Sequence, residues 1–215
     1  MSDRFITDYK DTDFTSCVAL VGRVWDFQTS FPSPGCADLM RFYYTSLSLA
    51  VSSHRRIVRD KGRVAGFLFG QIHGLRPAPS PCSGPLAGFL RFSLRVLGLP
   101  RLKLARKLKY VTMVLGHEVR RARIKLDEDA VVTLFVVDPG WQGKGLGKLL
   151  MDDFVADCRR NGAGKVVLET DEASNLGFYE HLGFRCVASF NSPMLEHFTH
   201  SSGLTLLYAL ELSRD

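Results

Sequence analysis

A buried apolar run followed by a glycine-rich turn is the feature that most constrains the fold of this chain. The run Ala130–Val137 reads AVVTLFVV, which is typical of a strand buried on both faces and therefore central in a sheet. The turn Gln142–Gly147 separates it from a predicted helix that extends to about Asn161. The first amides of a helix have no partner within the helix, and glycines let an anion approach the backbone. This segment therefore predicts a phosphate or pyrophosphate site, beside which Lys144 and Lys148 add positive charge.

The spacing of the turn argues against two common phosphate-binding motifs. A P-loop ending in Gly147-Lys148 would need glycine at position 142 and Ser or Thr at position 149, but Gln142 stands at the first position and leucine at the second. A dinucleotide fingerprint that starts at Gly143 would need glycine at position 148, where the chain has lysine. Glu169 does lie roughly where a ribose-binding acid is expected. A P-loop is therefore excluded, and a dinucleotide site is weakened.

Length and composition are those of an ordinary globular protein. The chain has 215 residues, of which 46% are hydrophobic and 23% are charged, enough for one core and too mixed for a disordered chain. The N-terminus lacks a signal-peptide pattern, and no stretch reaches the ~18 uninterrupted apolar residues of a membrane span. The five cysteines contain no CxxC pair, and the histidines lack metal-ligand spacing. We therefore expect a reduced, cytoplasmic protein without a metal site.

Hydrophobic periodicity elsewhere predicts an α+β chain around one mixed sheet. The clearest signal is a hairpin, in which Arg56–Arg59 and Arg63–Gly70 flank the turn Asp60–Gly62. The other predicted strands are Phe5–Tyr9, Lys165–Thr170, Phe184–Phe190 and Thr205–Leu212. Further helices are predicted from Asp11–Asp13 through about Val24, at Asp38–Ser52 and at Ser174–Leu182.

The segment from about residue 75 to 128 interrupts this order before the central strand. It begins with a proline-rich connector and continues with two helix-like stretches, Leu86–Leu99 and roughly Arg101–Arg123. It holds twelve Lys and Arg against three acids, whereas the whole chain carries a net charge of only +6. We interpret it as a basic helical insertion.

Three roles stay open for this insertion. It could pack as a helical hairpin on the domain or against a second copy in a homodimer, cover the acceptor pocket as a lid, or contact a membrane surface through its basic residues. Binding to nucleic acid is the least favoured role, because the chain contains no motif for RNA or DNA recognition.

The spacing Gln142-x-x-Gly145-x-Gly147 fits a third pattern, [Arg/Gln]-x-x-Gly-x-[Gly/Ala]. It lies within LFVVDPGWQGKGLGKLLM and is followed by SNLGFYEHLGF. On these motifs the chain resembles the GNAT superfamily of acyl-CoA-dependent N-acyltransferases, closely over Ala130–Phe184 and more loosely outside it. The resemblance implies a single GNAT-like domain over residues 1–215. Its fold would be α+β, with a mixed, mostly antiparallel central sheet flanked by helices and the helical insertion at about 75–128.

The resemblance also implies roles for individual residues. Backbone amides of the glycine turn would hold the pyrophosphate of acetyl-CoA, Gln142 would brace the turn, and the backbone of the central strand would pair with the pantetheine arm. Tyr179 would protonate the leaving thiolate, since the pKa of a phenol lies above that of a thiol. The oxyanion would meet a backbone N–H near Val137. The expected cofactor-binding residues are Phe135, Val136, Val137, Gln142, Gly143, Lys144, Gly145, Leu146, Gly147, Lys148 and Asn175.

The general base is less well defined by the sequence. Direct transfer needs a neutral amine, so a proton must leave an ammonium substrate. Some family members use an acid on the strand before the glycine turn, but Val131–Val137 contains none. Glu169 and Asp171, at the end of the neighbouring strand, are the nearest candidates. We expect Glu169 to be the base. A water chain, or no dedicated base, is an alternative.

The expected function is transfer of an acetyl group from acetyl-CoA to a primary amine on a small molecule or peptide. One rival is a non-catalytic acyl-CoA sensor of the same fold, which the missing acid on the central strand favours. Another is a membrane- or nucleic-acid-associated adaptor that uses the basic insertion. Tyr179 and the intact glycine turn argue against the sensor. Each site residue also has a structural alternative, Tyr179 as a core tyrosine and Asn175 as the N-terminal cap of a short helix, and for Asn175 the two roles are compatible.

Overall fold

Seven strands form one sheet, with the predicted apolar run at its centre. The computed structural model describes residues 4–25, 27, 34–77, 90, 93–98, 102–199 and 202–212. The strands are β1 Arg4–Asp8, β2 His54–Asp60, β3 Arg63–Ile72, β4 Ala130–Val137, β5 Lys165–Asp171, β6 Arg185–Asn191 and β7 Leu204–Glu211. Their order is β1-β2-β3-β4-β5-β7-β6, and among these described strands only β4 and β5 run parallel. The predicted mixed, mostly antiparallel sheet is confirmed.

Helices cover both faces of this sheet. A 3-10 turn at Asp11–Asp13 precedes α1 Phe14–Val24, and the others are α2 Pro34–Val51, α3 Leu104–Arg123, α4 Leu146–Arg160, α5 Leu176–His181 and α6 Pro193–Thr199. Helices α1, α2 and α3 bury their apolar sides on one face, whereas α4 and α5 pack on the other. Within the described residues, no helix has both the length and the apolar character that crossing a bilayer would require.

The hairpin of β2 and β3 has the geometry that its sequence predicts. Asp60 pairs with Arg63, so the turn consists of Lys61 and Gly62. Both have positive φ, 48° and 80°, which is the left-handed conformation that matches the twist of the two strands.

A β-bulge interrupts the pairing of β3 with β4. Phe69 pairs with Leu134 and Gly70 pairs with Val132, so Thr133 has no opposite residue on β3. An extra residue of this kind bends its strand and changes the direction of the side chains that follow it. Accordingly, Val132 packs on the α4 face of the sheet and Leu134 on the opposite face.

Helix α2 holds this bulge in place. The Ser52 and Thr133 hydroxyl oxygens lie 2.7 Å apart, and the Ser48 hydroxyl donates to the Thr133 carbonyl oxygen at 3.3 Å. Ser48 lies on the last turn of α2 and Ser52 directly follows the end of this helix, and both are buried. Their hydroxyls therefore satisfy polar groups that lack a ladder partner on β3.

The chain between β3 and β4 contains α3. The helix predicted at about Arg101–Arg123 is observed at Leu104–Arg123, with Tyr110, Met113 and Val114 buried against the core. The proline-rich connector and the helix predicted at Leu86–Leu99 lie mostly outside the described residues, although 90 and 93–97 are helical. That this segment is an insertion in the domain stays a prediction.

Helix α6 was not predicted. It begins at Pro193 directly after Ser192, whose hydroxyl accepts from the Leu195 amide at 3.1 Å. A serine cap followed by proline at the first helical position is a recognised helix-start signal. With only seven residues, the helix is too short for a periodic pattern to support that signal.

We expect Gly70→Ala to destabilise the protein by about 1–3 kcal/mol, because overpacking forces a core to shift. A Cβ at Gly70 would lie 2.4 Å from the Phe154 ring, which is fully buried. Gly35→Ala is the control, since a Cβ there meets nothing within 4 Å and alanine is favoured in a helix. Urea unfolding of both variants measures the effect, and equal midpoints for Gly70→Ala and the unmodified protein would contradict it.

Candidate active site

Strands β4 and β5 separate part of the way along the sheet. They pair only from Ala130 and Val166 to Val132 and Leu168. Beyond this point β4 continues beside β3 to Val137, whereas β5 continues beside β7. The second half of β4 therefore has a backbone edge without a partner strand on the β5 side, and a gap opens between the two strands.

The edge of β4 that faces this gap can be assigned from its hydrogen bonding. The Asp138 amide donates to the Ala65 carbonyl at 2.9 Å, so its backbone groups point toward β3. Because backbone groups alternate in direction along a strand, those of Val136 also point to β3. The amides and carbonyls of Phe135 and Val137 point into the gap, where an extended ligand could pair with them.

The glycine turn begins α4 at the mouth of the gap. Gly145 caps the helix with φ 80°, and the first intrahelical bond runs from the Leu149 amide to the Gly145 carbonyl at 3.0 Å. The amides of Leu146, Gly147 and Lys148 therefore have no acceptor within the helix. These amides and the positive end of the helix dipole lie where the sequence predicts an anion site.

Gly147 lets this first helical turn approach β4 and α5 closely. A Cβ there would lie 3.2 Å from the Phe178 ring and 3.3 Å from the Phe135 ring, and these two rings stack with centroids 5.9 Å apart. Any larger residue would push the first turn of α4 away from its neighbours, since both distances are already tighter than normal packing.

The polar side chains of the turn lie on its exposed side. The Lys144 ammonium donates to the Gly140 carbonyl at 2.8 Å and lies 4.2 Å from the centre of the Trp141 ring. Lys148 pairs with Asp152 at 2.5 Å. Gln142 is exposed, and its side chain makes no hydrogen bond to the part of the chain that the structure describes. The anion site therefore consists mainly of backbone groups.

Tyr179 lies at the side of the gap, on α5. Its ring contacts Phe184 and Tyr208, each with centroids 6.2 Å away, and it lines the same cavity as residues 131–135 of β4. Burial raises the pKa of Tyr179 to about 12, although a hydrogen bond with Thr170 acts in the opposite direction. The phenol therefore stays protonated at neutral pH and is able to donate its proton.

Asn175 caps the short helix that carries Tyr179. Its side-chain oxygen accepts from the Phe178 amide at 3.3 Å, and the residue is exposed. The capping role considered from the sequence is therefore present. It leaves the side-chain NH2 group of Asn175 available to a ligand.

Glu169, the predicted base, is held in an ion-pair network. Arg121 donates to it at 2.6 Å and to Glu128 at 2.6 Å, and the His117 Nε2 atom lies 3.4 Å from its second oxygen. Burial raises the pKa of Glu169, but His117 and Arg121 outweigh burial and leave the pKa below its usual value. Glu169 thus lines the cavity, yet its surroundings stabilise the ionised carboxylate and weaken it as a base.

Glu118 lines the cavity together with Glu169 and Asp171, and sequence reasoning missed it. It lies on α3, one turn before Arg121. It forms no hydrogen bond or ion pair with any residue that the structure describes. Burial raises the pKa of Glu118 above its ordinary value, although the positive charge of His117 acts in the opposite direction. Its place in the predicted insertion gave no signal of a site residue.

The cavity connects the gap to a chamber between α2, α3 and α6. Its volume is about 400 Å³. Tyr44 lies near the acids of the cavity: burial raises its pKa, and Glu169, Asp171 and Glu118 add to the effect. The chamber end is lined by Trp25, Phe27, Met40, Tyr43, Tyr44, Leu47, Val114, His117, Glu118, Arg121, Met194 and Leu195.

The segment that forms this site resembles known proteins in sequence. Residues 111–194 match the model of the acetyltransferase (GNAT) domain. Glucosamine 6-phosphate N-acetyltransferase of Trypanosoma brucei brucei is 52% identical over 50 residues, which are 23% of this chain and 33% of that protein. Serotonin N-acetyltransferase 2, chloroplastic, of Oryza sativa subsp. japonica is 45% identical over 71 residues, 32% of this chain and 35% of that protein. The matched segments thus span only about a third of either relative.

The fold agrees with these matches over nearly the whole chain. The crystal structure of the ribosomal-protein-S18-alanine N-acetyltransferase from Escherichia coli superimposes with a TM-score of 0.54, covering 98% of this chain and 94% of that one at 16% sequence identity. At this identity the likeness concerns the fold alone. The chain thus resembles the GNAT acetyltransferase family in the sequence of residues 111–194 and shares its fold.

Proposed function

We propose that the protein is an acetyl-CoA-dependent N-acetyltransferase that acetylates a primary amine by direct transfer. The observation that carries the proposal is the gap between β4 and β5. It begins where their pairing stops after Val132, reaches the start of α4, and shares one cavity with Tyr179. A thioester donor with an anionic end and a long polar arm matches these three features in that order.

The donor side fits the pyrophosphate and pantetheine of coenzyme A. A Cβ at Gly143 or Gly145 would meet no atom within 4 Å, so phosphate oxygens have room to approach the backbone. Phe135 and Val137 offer amides and carbonyls along the gap, and Asn175 lies at its side. When bound, the thioester supplies an activated acetyl carbon, and these residues orient it toward the chamber.

Tyr179 is the residue proposed to act on the leaving group. The amine nitrogen forms a bond to the acetyl carbon while the carbon–sulfur bond breaks, and the phenol gives its proton to the sulfur. The proton that the new amide loses restores the phenol. A backbone amide on the gap side of β4, such as that of Val137, would stabilise the oxyanion.

The acceptor is proposed here only as a primary amine. The relatives act on glucosamine 6-phosphate and on serotonin by their names, and each of these compounds carries a primary amine. Glu169 stays a candidate base from the sequence, but its pairs with Arg121 and His117 do not favour it. A cytoplasmic location and contact of the 75–128 segment with a membrane or a second copy stay predictions.

Thiol release from acetyl-CoA tests the activity directly. We expect release that depends on the protein and on an added amine, together with one acetylated product seen by mass spectrometry. Binding of acetyl-CoA without turnover on any amine of a broad panel would instead support the sensor function.

We expect Gly145→Leu to lower the affinity for acetyl-CoA by at least about 100-fold, because the side chain fills the phosphate space and charged hydrogen bonds are lost. Gly162→Leu is the control. Gly162 lies at the other end of α4 with φ 75° and open space around it, so the backbone strain is similar. Isothermal titration calorimetry should detect lost affinity only in Gly145→Leu. Equal affinity of the two variants would count against the pyrophosphate site.

We expect Tyr179→Phe to lower kcat by about 10²- to 10⁴-fold, because the general acid is lost while ring packing remains. Its dissociation constant for acetyl-CoA should change by less than about threefold. Tyr208→Phe is the control, since Tyr208 contacts Tyr179 but donates to Glu180 at 3.0 Å. With the pKa of Tyr179 near 12, kcat should not fall through loss of this proton below pH 10. A Tyr179→Phe variant with the kcat of the unmodified protein would show that Tyr179 is not the general acid.

A further inference from the structure

We propose that the acceptor is a primary amine on an apolar, aromatic body, and that Glu118 receives its ammonium group. The inference rests on the proposed function and adds the substrate class and the base. It follows from the walls of the chamber, from the charges that face it and from the pairing of those charges.

The walls of the chamber are mainly apolar and aromatic. Trp25 and Tyr44 meet edge to face with ring centroids 5.9 Å apart, and Met40 and Val114 are buried beside them. Aromatic rings favour an aromatic ligand through edge and stacking contacts, and their faces attract a cation. A polar or strongly hydrated acceptor would lose its water there without compensating hydrogen bonds.

The charges that face the cavity are suited to a cation and not to an anion. Its basic groups are already engaged, because Arg121 contacts Glu128 and Glu169 at 2.6 Å each. His117 lies 2.9 Å from the Ser192 hydroxyl and 3.4 Å from Glu169. A phosphate on the acceptor would therefore find no uncommitted cation among the cavity residues that the structure describes. This argues against a phosphorylated amino sugar.

Glu118 is the acid left to pair with a substrate ammonium. Glu169 has two basic partners, and Asp171 accepts from the Ser174 hydroxyl at 2.8 Å, whereas Glu118 has no such contact within the described chain. Glu118 is exposed to solvent and lines the cavity, so a cationic ligand can reach its carboxylate and favour the ionised form. Its raised pKa also makes it a better proton acceptor than Glu169.

Each proton of the proposed transfer has a donor and an acceptor. The substrate ammonium gives one proton to Glu118, and the neutral nitrogen forms the bond to the acetyl carbon as the carbon–sulfur bond breaks. The sulfur takes a proton from Tyr179, which regains one from the new amide nitrogen. Glu118 then releases its proton to solvent. One ammonium ion and one thioester thus give one amide, one thiol and one proton.

A panel of amines tests the substrate class. With the full chain and acetyl-CoA, kcat/KM is measured for 2-phenylethylamine, glucosamine 6-phosphate, spermidine and a polar hexapeptide with a free N-terminus. We expect 2-phenylethylamine to exceed each of the others by at least about 100-fold, since a mismatched buried polar group costs several kcal/mol. Preference for any of the other three would overturn the inference and leave the proposed function standing. No turnover on any amine would instead contradict the proposed function.

Glu118→Gln tests whether Glu118 binds the substrate ammonium and accepts its proton. We expect kcat/KM for 2-phenylethylamine to fall by about 100-fold or more, with a higher KM and an unchanged affinity for acetyl-CoA. Glu128→Gln is the matched control, because Glu128 pairs with Arg121 in the same network without lining the cavity. A loss of about the same size in Glu128→Gln would mean that the network and not direct contact explains the effect. Activity of Glu118→Gln within about threefold of the unmodified protein would equally overturn the role.

Tyr44→Leu gives a second measurement that does not depend on Glu118. The change keeps an apolar wall but removes the ring, and we expect kcat/KM for 2-phenylethylamine to fall by about tenfold, the value of an aromatic contact. The same change should leave kcat/KM for spermidine within about twofold. Equal losses on both amines, or no loss on either, would argue against an aromatic acceptor. Circular dichroism of each variant checks that the fold is retained.

Discussion

The interruption of pairing between β4 and β5 is the constraint on which the rest of the site depends. The two strands share only three residue pairs, from Ala130–Val166 to Val132–Leu168, and the bulge at Thr133 follows directly. The bulge bends β4 where its partner strand leaves. Ser48 of α2, and Ser52 just after that helix, satisfy the polar groups that the bulge exposes. Because α4 crosses from β4 to β5, its first turn lies at the mouth of the resulting gap. A continuous β4–β5 ladder would close the gap that opens into the cavity lined by Tyr179.

A second constraint fixes α3 against the sheet. Arg121 bridges Glu128, which precedes β4, and Glu169 of β5. This pairing turns one face of α3 toward the cavity, and Glu118, three residues earlier on the same face, is turned with it. One basic residue of this segment thus neutralises an acid just before β4 and an acid on β5. Arg121 sets the charge of the chamber by occupying one acid and leaving the other without a partner.

The donor half of the site could be predicted because its signals are local in sequence. The strand, glycine turn and helix depend on neighbouring residues, and this order predicted an anion site. The resemblance carried by the spacing of the turn and by the segment around Tyr179 added the expectation of coenzyme A. The bulge could not be predicted in this way, since Thr133 fits the apolar strand pattern and is displaced only by its register with Phe69 and Gly70. Val136 illustrates this limit. A strand pattern does not say toward which neighbouring strand the backbone amide and carbonyl of a residue point, and those of Val136 point toward β3 and not into the gap.

The acceptor half depends on contacts between residues far apart in the chain. Sequence reasoning chose Glu169 because it lies at the end of the strand beside the glycine turn, but nearness in sequence says nothing about the charges around a carboxylate. Arg121 and His117 come from a helix more than 45 residues earlier, and they lower the pKa of Glu169. The same helix brings in Glu118, whose pKa burial raises. Glu169 and Glu118 line the same cavity yet differ, because α3 places Arg121 and His117 beside Glu169 and leaves Glu118 without an ion pair in the described part of the chain.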